Sequence, residues 1–130
     1  MVGRPICVDI HGGDVHCVAI LLSKIILRDR GYKEVDASAL QRKGLYPGIP
    51  DVLVDVPVRG TNERGQAVAH GTLRAIIEIE VDATKKSIER KKAQYDTSLA
   101  GHELYVINLQ LCENPFDITT LRLFLEKWLP

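Results

Sequence analysis

The residues most able to do chemistry are carboxylates, and they gather in two neighbouring segments. In Asp51-Val-Leu-Val-Asp55 and Glu78-Ile-Glu80-Val-Asp82 the acids fall at even spacings with apolar residues between them. Alternation at period two places each set of acids on one face of a strand. If the two strands pair antiparallel with Val58 opposite Leu73, Asp51 opposes Glu80 and Glu78 lies diagonal to Asp51. Like charges directly opposed on a sheet are destabilising, so such a cluster calls for a compensating lysine, arginine or divalent metal. Oxygen-only ligands suit Mg2+ or Mn2+. A register slip of two residues preserves the cluster and a slip of one destroys it. The plainer alternative is that each acidic face is simply a solvated strand face.

A second charged group follows directly. Lys85, Lys86, Arg90, Lys91 and Lys92 fall within eight residues and are opposed only by Glu89. Beside an acidic hairpin these cations would hold phosphates while a carboxylate–metal cluster did the chemistry. They could also be a solvated helix face with Lys85–Glu89 and Lys92–Asp96 pairs. Cys7, His11, His16 and Cys17 are all zinc-ligand types within eleven residues, but their spacing matches no compact zinc module. The third cysteine, Cys112, reads with Cys7 as a small buried apolar residue. No nucleophile elbow, phosphate-binding glycine loop or dinucleotide fingerprint is present.

The elements that must carry these residues are legible in outline. Asp14 stands at an N-cap position before Val15, Val18, Ala19, Leu22, Ile25 and Ile26 at helical spacing, and Gly31 ends that helix. Tyr32 to Ser38 reads as a strand, followed by a turn-rich loop through Pro50. Asp51 to Val58 and Leu73 to Asp82 read as strands, and the glycine-rich Arg59 to Thr72 reads as a long polar connection. Thr84 caps a second helix reaching about Leu99. Glu103 to Leu109 is a nearly all-apolar strand, which suggests burial on both faces. Asp117 opens a last helix with Leu121, Phe124, Leu125 and Trp128 on its core stripe. The order helix, three strands, helix, strand, helix implies one α/β domain over 1–130, with helices on both faces of a mixed sheet.

This pattern resembles the PD-(D/E)xK nuclease superfamily. The resemblance rests on Pro50-Asp51, a strand, then Glu78-x-Glu80 on the next strand, and on the element order from about Asp14 to Leu109. The layout is similar to that of small archaeal Holliday-junction resolvases. The resemblance implies a restriction-endonuclease-like three-layer α/β/α fold around a mixed sheet of four or five strands. It makes Asp51 and Glu78 the metal-binding carboxylates. Glu80 stands where the family usually has its catalytic lysine, which orients and deprotonates the attacking water. Some restriction endonucleases of the superfamily carry glutamate there, so Glu80 is a candidate proton acceptor or additional metal ligand. A neighbouring cation, Lys85, Lys86 or Lys92, could then substitute for the lysine. The family often places another acid on the first helix, for which Asp14 is the candidate here, although an N-cap role explains it equally well.

The expected function is therefore a metal-dependent endonuclease acting on branched or duplex DNA, with Mg2+ or Mn2+ as cofactor and a homodimer as the working form. Catalytic candidates are Asp51, Glu78, Glu80 and Lys85; phosphate-binding candidates are Lys85, Lys86, Arg90, Lys91 and Lys92. The rivals are an inactive nucleic-acid-binding domain on the same fold and a structural or assembly protein. Composition bounds these choices. The 130 residues are 45% apolar with 17 basic and 17 acidic side chains, which excludes a disordered chain and a uniformly basic coat protein. Three widely spaced cysteines fit an intracellular, cytoplasmic setting. No signal peptide or membrane-spanning stretch is expected, the longest apolar run, Val18 to Leu27, being too short.

Overall fold

The computed structural model describes residues 14–42, 50–82, 84–95 and 102–130. Cys7, His11, the Gly12-Gly13 turn, the loop before Pro50 and the Leu99–Gly101 helix end lie outside the described residues. The elements are α1 (Val15–Asp29), β1 (Lys33–Glu34), α2 (Ala37–Arg42), β2 (Val52–Thr61), β3 (Ala67–Glu80), α3 (Lys85–Tyr95), β4 (His102–Asn108) and α4 (Ile118–Trp128). The four strands form one mixed sheet in the order β1-β2-β3-β4. β1, β2 and β3 pair antiparallel, whereas β4 returns parallel to β3 after the α3 crossover.

Helix α1 forms where its apolar spacing demands it. It buries Val15, Ala19, Leu22, Ser23, Ile26 and Leu27, and Ser23 donates to the Ala19 carbonyl at 2.7 Å, which satisfies its buried hydroxyl. Gly31, at φ +84°, makes the left-handed turn that ends the helix. On the sheet, Val52 and Val54 face the same way as Ala75, Ile77 and Ile79. They join Ile107, Leu109, Leu121, Leu125 and the α1 stripe in one core. Helices α1 and α4 therefore cover this face. The opposite face carries a smaller cluster of Leu53 and Ile76, with Val35, Ala37 and Leu104 packed against it.

Several boundaries differ from those expected. The strand read over Tyr32 to Ser38 shrinks to two residues, because Ala37 to Arg42 turns into α2; alanine, leucine, glutamine and arginine are strong helix formers. The polar connection read over Arg59 to Thr72 is almost all strand, leaving only a tight turn around Asn62–Gln66. β4 is half-buried rather than buried on both faces, since it forms an edge of the sheet among the described residues. Trp128 is 48% exposed, with Lys127 Nζ 5.5 Å from its ring centre, and Leu129 takes the buried place at that end. Cys112 is buried, as expected, and Cys17 is exposed. Among the described residues no helix is long and apolar enough to cross a membrane.

Candidate active site

The β2–β3 register brings the acids to one face, though not in the expected pairing. Val56, not Val58, lies opposite Leu73, and Val52 lies opposite Ile77. The slip is two residues, so each side chain keeps its face. Asp51, Leu53 and Asp55 share a face with Arg74, Ile76, Glu78 and Glu80, and Asp51 sits just outside the first ladder pair, at the same sheet end as Glu78 and Glu80.

Asp51 is anchored by Oδ2, which accepts from the Ile79 backbone N–H at 2.8 Å. The same oxygen lies 3.3 Å from His16 Nε2 on the first turn of α1. His16 thus reaches the acidic cluster, and Asp14 does not. Asp14 is exposed at the N-cap position of α1, and its side chain makes no capping hydrogen bond. His16 was legible only as a ligand-type residue near the cysteines; nothing in its spacing ties it to a strand 35 residues away.

Glu78 is only 2% exposed and Glu80 is partly buried. Lys91, on the inner face of α3, lies 3.1 Å from Glu78 Oε2 and 3.1 Å from Glu80 Oε1. Burial disfavours the charged form of Lys91, but its close contacts with Glu78 and Glu80 and their negative charge outweigh that and raise its pKa above the usual lysine value. Glu80 Oε1 is sealed from solvent and, despite that ion-pair distance, accepts no well-aligned hydrogen bond among the described residues. Glu78 and Glu80 therefore meet one lysine, while Asp51 at the same sheet end meets a histidine.

Helix α3 earns this placement from its own ends and faces. Thr84 Oγ1 accepts from the Ser87 N–H at 3.1 Å while Ser87 Oγ accepts from the Thr84 N–H at 2.9 Å, a reciprocal cap. Ser87, Ile88 and Lys91 then fall at i, i+1 and i+4 on the half-buried side. Lys85, Lys86, Arg90 and Lys92 are exposed and form no ion pair among the described residues, so the Lys85–Glu89 pair does not form. Lys85, the lysine first considered as the catalytic substitute, stands in solvent, whereas Lys91 reaches the carboxylates. Tyr95 and Gln94 have no described side chains.

As a metal site the donor chemistry fits in part. Asp51 and Glu78 are hard oxygen donors at one sheet end, as Mg2+ and Mn2+ prefer. Among the described residues, however, no three His, Cys, Asp or Glu side chains surround a common point. Two carboxylates completed by water and phosphate oxygens are what this arrangement can offer. Lys91 lies against both Glu78 and Glu80, the latter expected as a further ligand. Of the zinc-type residues, Cys7 and His11 lie outside the described residues and His16 lies against Asp51. No protein-family model matches this chain, and no curated protein and no solved structure is similar to it.

Proposed function

We propose that the chain hydrolyses phosphodiester bonds in DNA with the help of a divalent metal, on a restriction-endonuclease-like α/β/α framework. The observation that carries this is Lys91 Nζ at 3.1 Å from both Glu78 and Glu80. It gives the two strand glutamates a cation from α3, which supports reading Lys91 as the stand-in for the lysine that Glu80 replaces.

Asp51 and Glu78 would hold Mg2+ or Mn2+, which supplies Lewis-acid polarisation of the scissile phosphate and a more acidic attacking water. Asp51 is kept in one orientation by the Ile79 N–H and His16. Lys91 orients the attacking water and Glu80 keeps the Lys91 ammonium in place. Lys85, Lys86, Arg90 and Lys92 face solvent from the same helix and hold the DNA backbone. Two copies of the chain would cut the two strands of a duplex or junction.

The test is cleavage of plasmid, single-stranded and branched DNA with Mg2+ or Mn2+. Wild type should nick or cleave at least one of these, and Asp51→Asn should abolish it; inactivity on all three, or an active Asp51→Asn variant, rejects the mechanism. One observation favours a second reading. Lys91 already neutralises much of the charge on Glu78 and Glu80 without an ion, as a metal-free DNA-binding domain would require. That domain would bind DNA in EDTA and keep its affinity in Glu78→Gln.

A further inference from the structure

The β2–β3 hairpin runs well past the rest of the sheet. β1 pairs only with Asp55 and Val54, and β4 joins β3 from Arg74 onward. The pairs from Val56–Leu73 to Thr61–Ala67 thus have no flanking strand among the described residues. A bare two-stranded ribbon is marginal in water, and this one is braced at its tip and base. Asn62 Oδ1 accepts from the Arg64 and Gln66 N–H groups, both at 2.9 Å, and Asn62 Nδ2 donates to Gln66 Oε1 at 3.0 Å. Gly65, at φ +75°, closes the turn. At the base the register shifts between Pro57 and Arg59, where β3 spends one more residue than β2, with Gly71 at φ +96°. Such a bulge tightens the twist and re-aims the ribbon.

The arm's chemistry is cationic at defined points. Glu63 is its one acid between Val56 and Leu73. Arg59 and Arg64 are exposed and form no ion pair among the described residues. Because the extra residue lies on β3, the alternation of β2 is unbroken, and Arg59 projects on the same sheet face as Asp51 and Asp55. Arg64 is presented by the hydrogen-bonded turn. A two-stranded ribbon matches the width of a duplex major groove, about 12 Å.

We propose that this hairpin is a DNA arm that lies along a groove of duplex DNA, with Arg59 and Arg64 on phosphates remote from the bond to be cut. The inference rests on DNA being the substrate of the carboxylate site. Eight residues of strand separate Asp51 from Arg59, about 26 Å at the rise of a β-strand. That is about 8 base pairs of duplex at 3.4 Å each. Short duplexes therefore reach the site and not the arm.

The experiment is equilibrium DNA binding by the full chain in EDTA, across a salt series, with sedimentation of the free proteins. The probes are a duplex of about 20 base pairs and a DNA hairpin with a stem of about 6. For R59A/R64A on the long duplex, affinity should fall roughly tenfold at 0.1 M salt, and the slope of log K against log salt should become shallower by about 2. Binding to the short stem should not change, and R59K/R64K should restore the long-duplex affinity. Equal long-duplex binding by wild type and R59A/R64A overturns the arm and leaves the site's assignment standing. Loss of affinity that comes with a change from dimer to monomer also overturns it, in favour of a subunit contact. Failure of wild type to bind any duplex, with Mg2+ as well as in EDTA, removes both this inference and DNA as the substrate.

Discussion

Lys91 and Glu80 carry the argument at the scale of single residues. Glu78 is nearly fully buried and Lys91 is its cation, so Lys91→Ala leaves a buried carboxylate with reduced compensation. Breaking a fully buried pair costs about 3–5 kcal/mol; with Lys91 a third exposed to solvent, about 1–3 kcal/mol is expected. Chemical denaturation measures this directly. DNA cleavage by Lys91→Ala should fall at least about 100-fold, the usual scale for a group that manages a proton in the transition state. Combining Glu80→Lys with Lys91→Glu moves the ammonium to the strand and the carboxylate to the helix. That pair should recover part of the activity that Lys91→Ala loses. No recovery in a variant as stable as wild type would show that Lys91 serves only as a structural counter-ion. Lys91 was legible in the sequence only as one of five cations, because the helix face that meets the sheet depends on packing.

Elements were legible where a single physical signal dominated. The apolar stripe of α1 and the caps Thr84 and Asp117 all formed as expected. Asp117 accepts from Thr120 Oγ1 at 2.7 Å and from the Thr120 N–H at 3.0 Å, which together hold its pKa below the usual aspartate value. A depressed carboxyl stabilises the fold above its unfolded pKa, near 4, and that contribution is lost as pH falls through the lower folded value. Asp117→Asn keeps an acceptor without the proton linkage, so its thermal midpoint should depend less on pH between about 4 and 2 than that of wild type. On β4, burial and then the Glu103 hydrogen bond and charge push the Tyr105 phenol up to about 12. Its contribution is therefore complete below about 10 and is lost as pH rises toward that value. Ultraviolet titration should show a late-ionising tyrosine that Tyr105→Phe removes. The arm was the element the sequence hid. Gly60, Gly65 and Gly71 resemble loop composition, yet Gly65 and Gly71 serve a turn and a bulge inside a continuous hairpin.

For the whole molecule, equal numbers of acids and bases conceal a division by place. The sheet end gathers Asp51, Glu78 and Glu80, and the outer side of α3 shows Lys85, Lys86, Arg90 and Lys92 without partners among the described residues. Replacing these four by glutamine removes no ion pair among the described residues, so thermal stability should stay within about 0.5 kcal/mol. Duplex binding should weaken strongly, with a salt slope shallower by about 3 to 4 if each holds a phosphate. Unchanged binding would mean that DNA approaches from another side. In the core, Ile77 is fully buried beneath α1 and α4, and Ile77→Ala should cost about 2–5 kcal/mol in denaturant unfolding.

The sequence by itself determined the class of fold, the side-chain caps of α3 and α4 and the face on which each acid lies, because those follow from periodicity and local hydrogen bonding. It also determined that any register slip must be even, since an odd one would turn Val52 and Val54 out of the core. Tertiary structure alone decided which cation meets Glu78 and Glu80, that His16 rather than Asp14 meets Asp51, and that the hairpin runs past the strands that flank it among the described residues. Those outcomes depend on how helices rotate and where strands end when the two sheet faces are packed. Residues 35 or 13 positions apart carry no local signal of the contact they make.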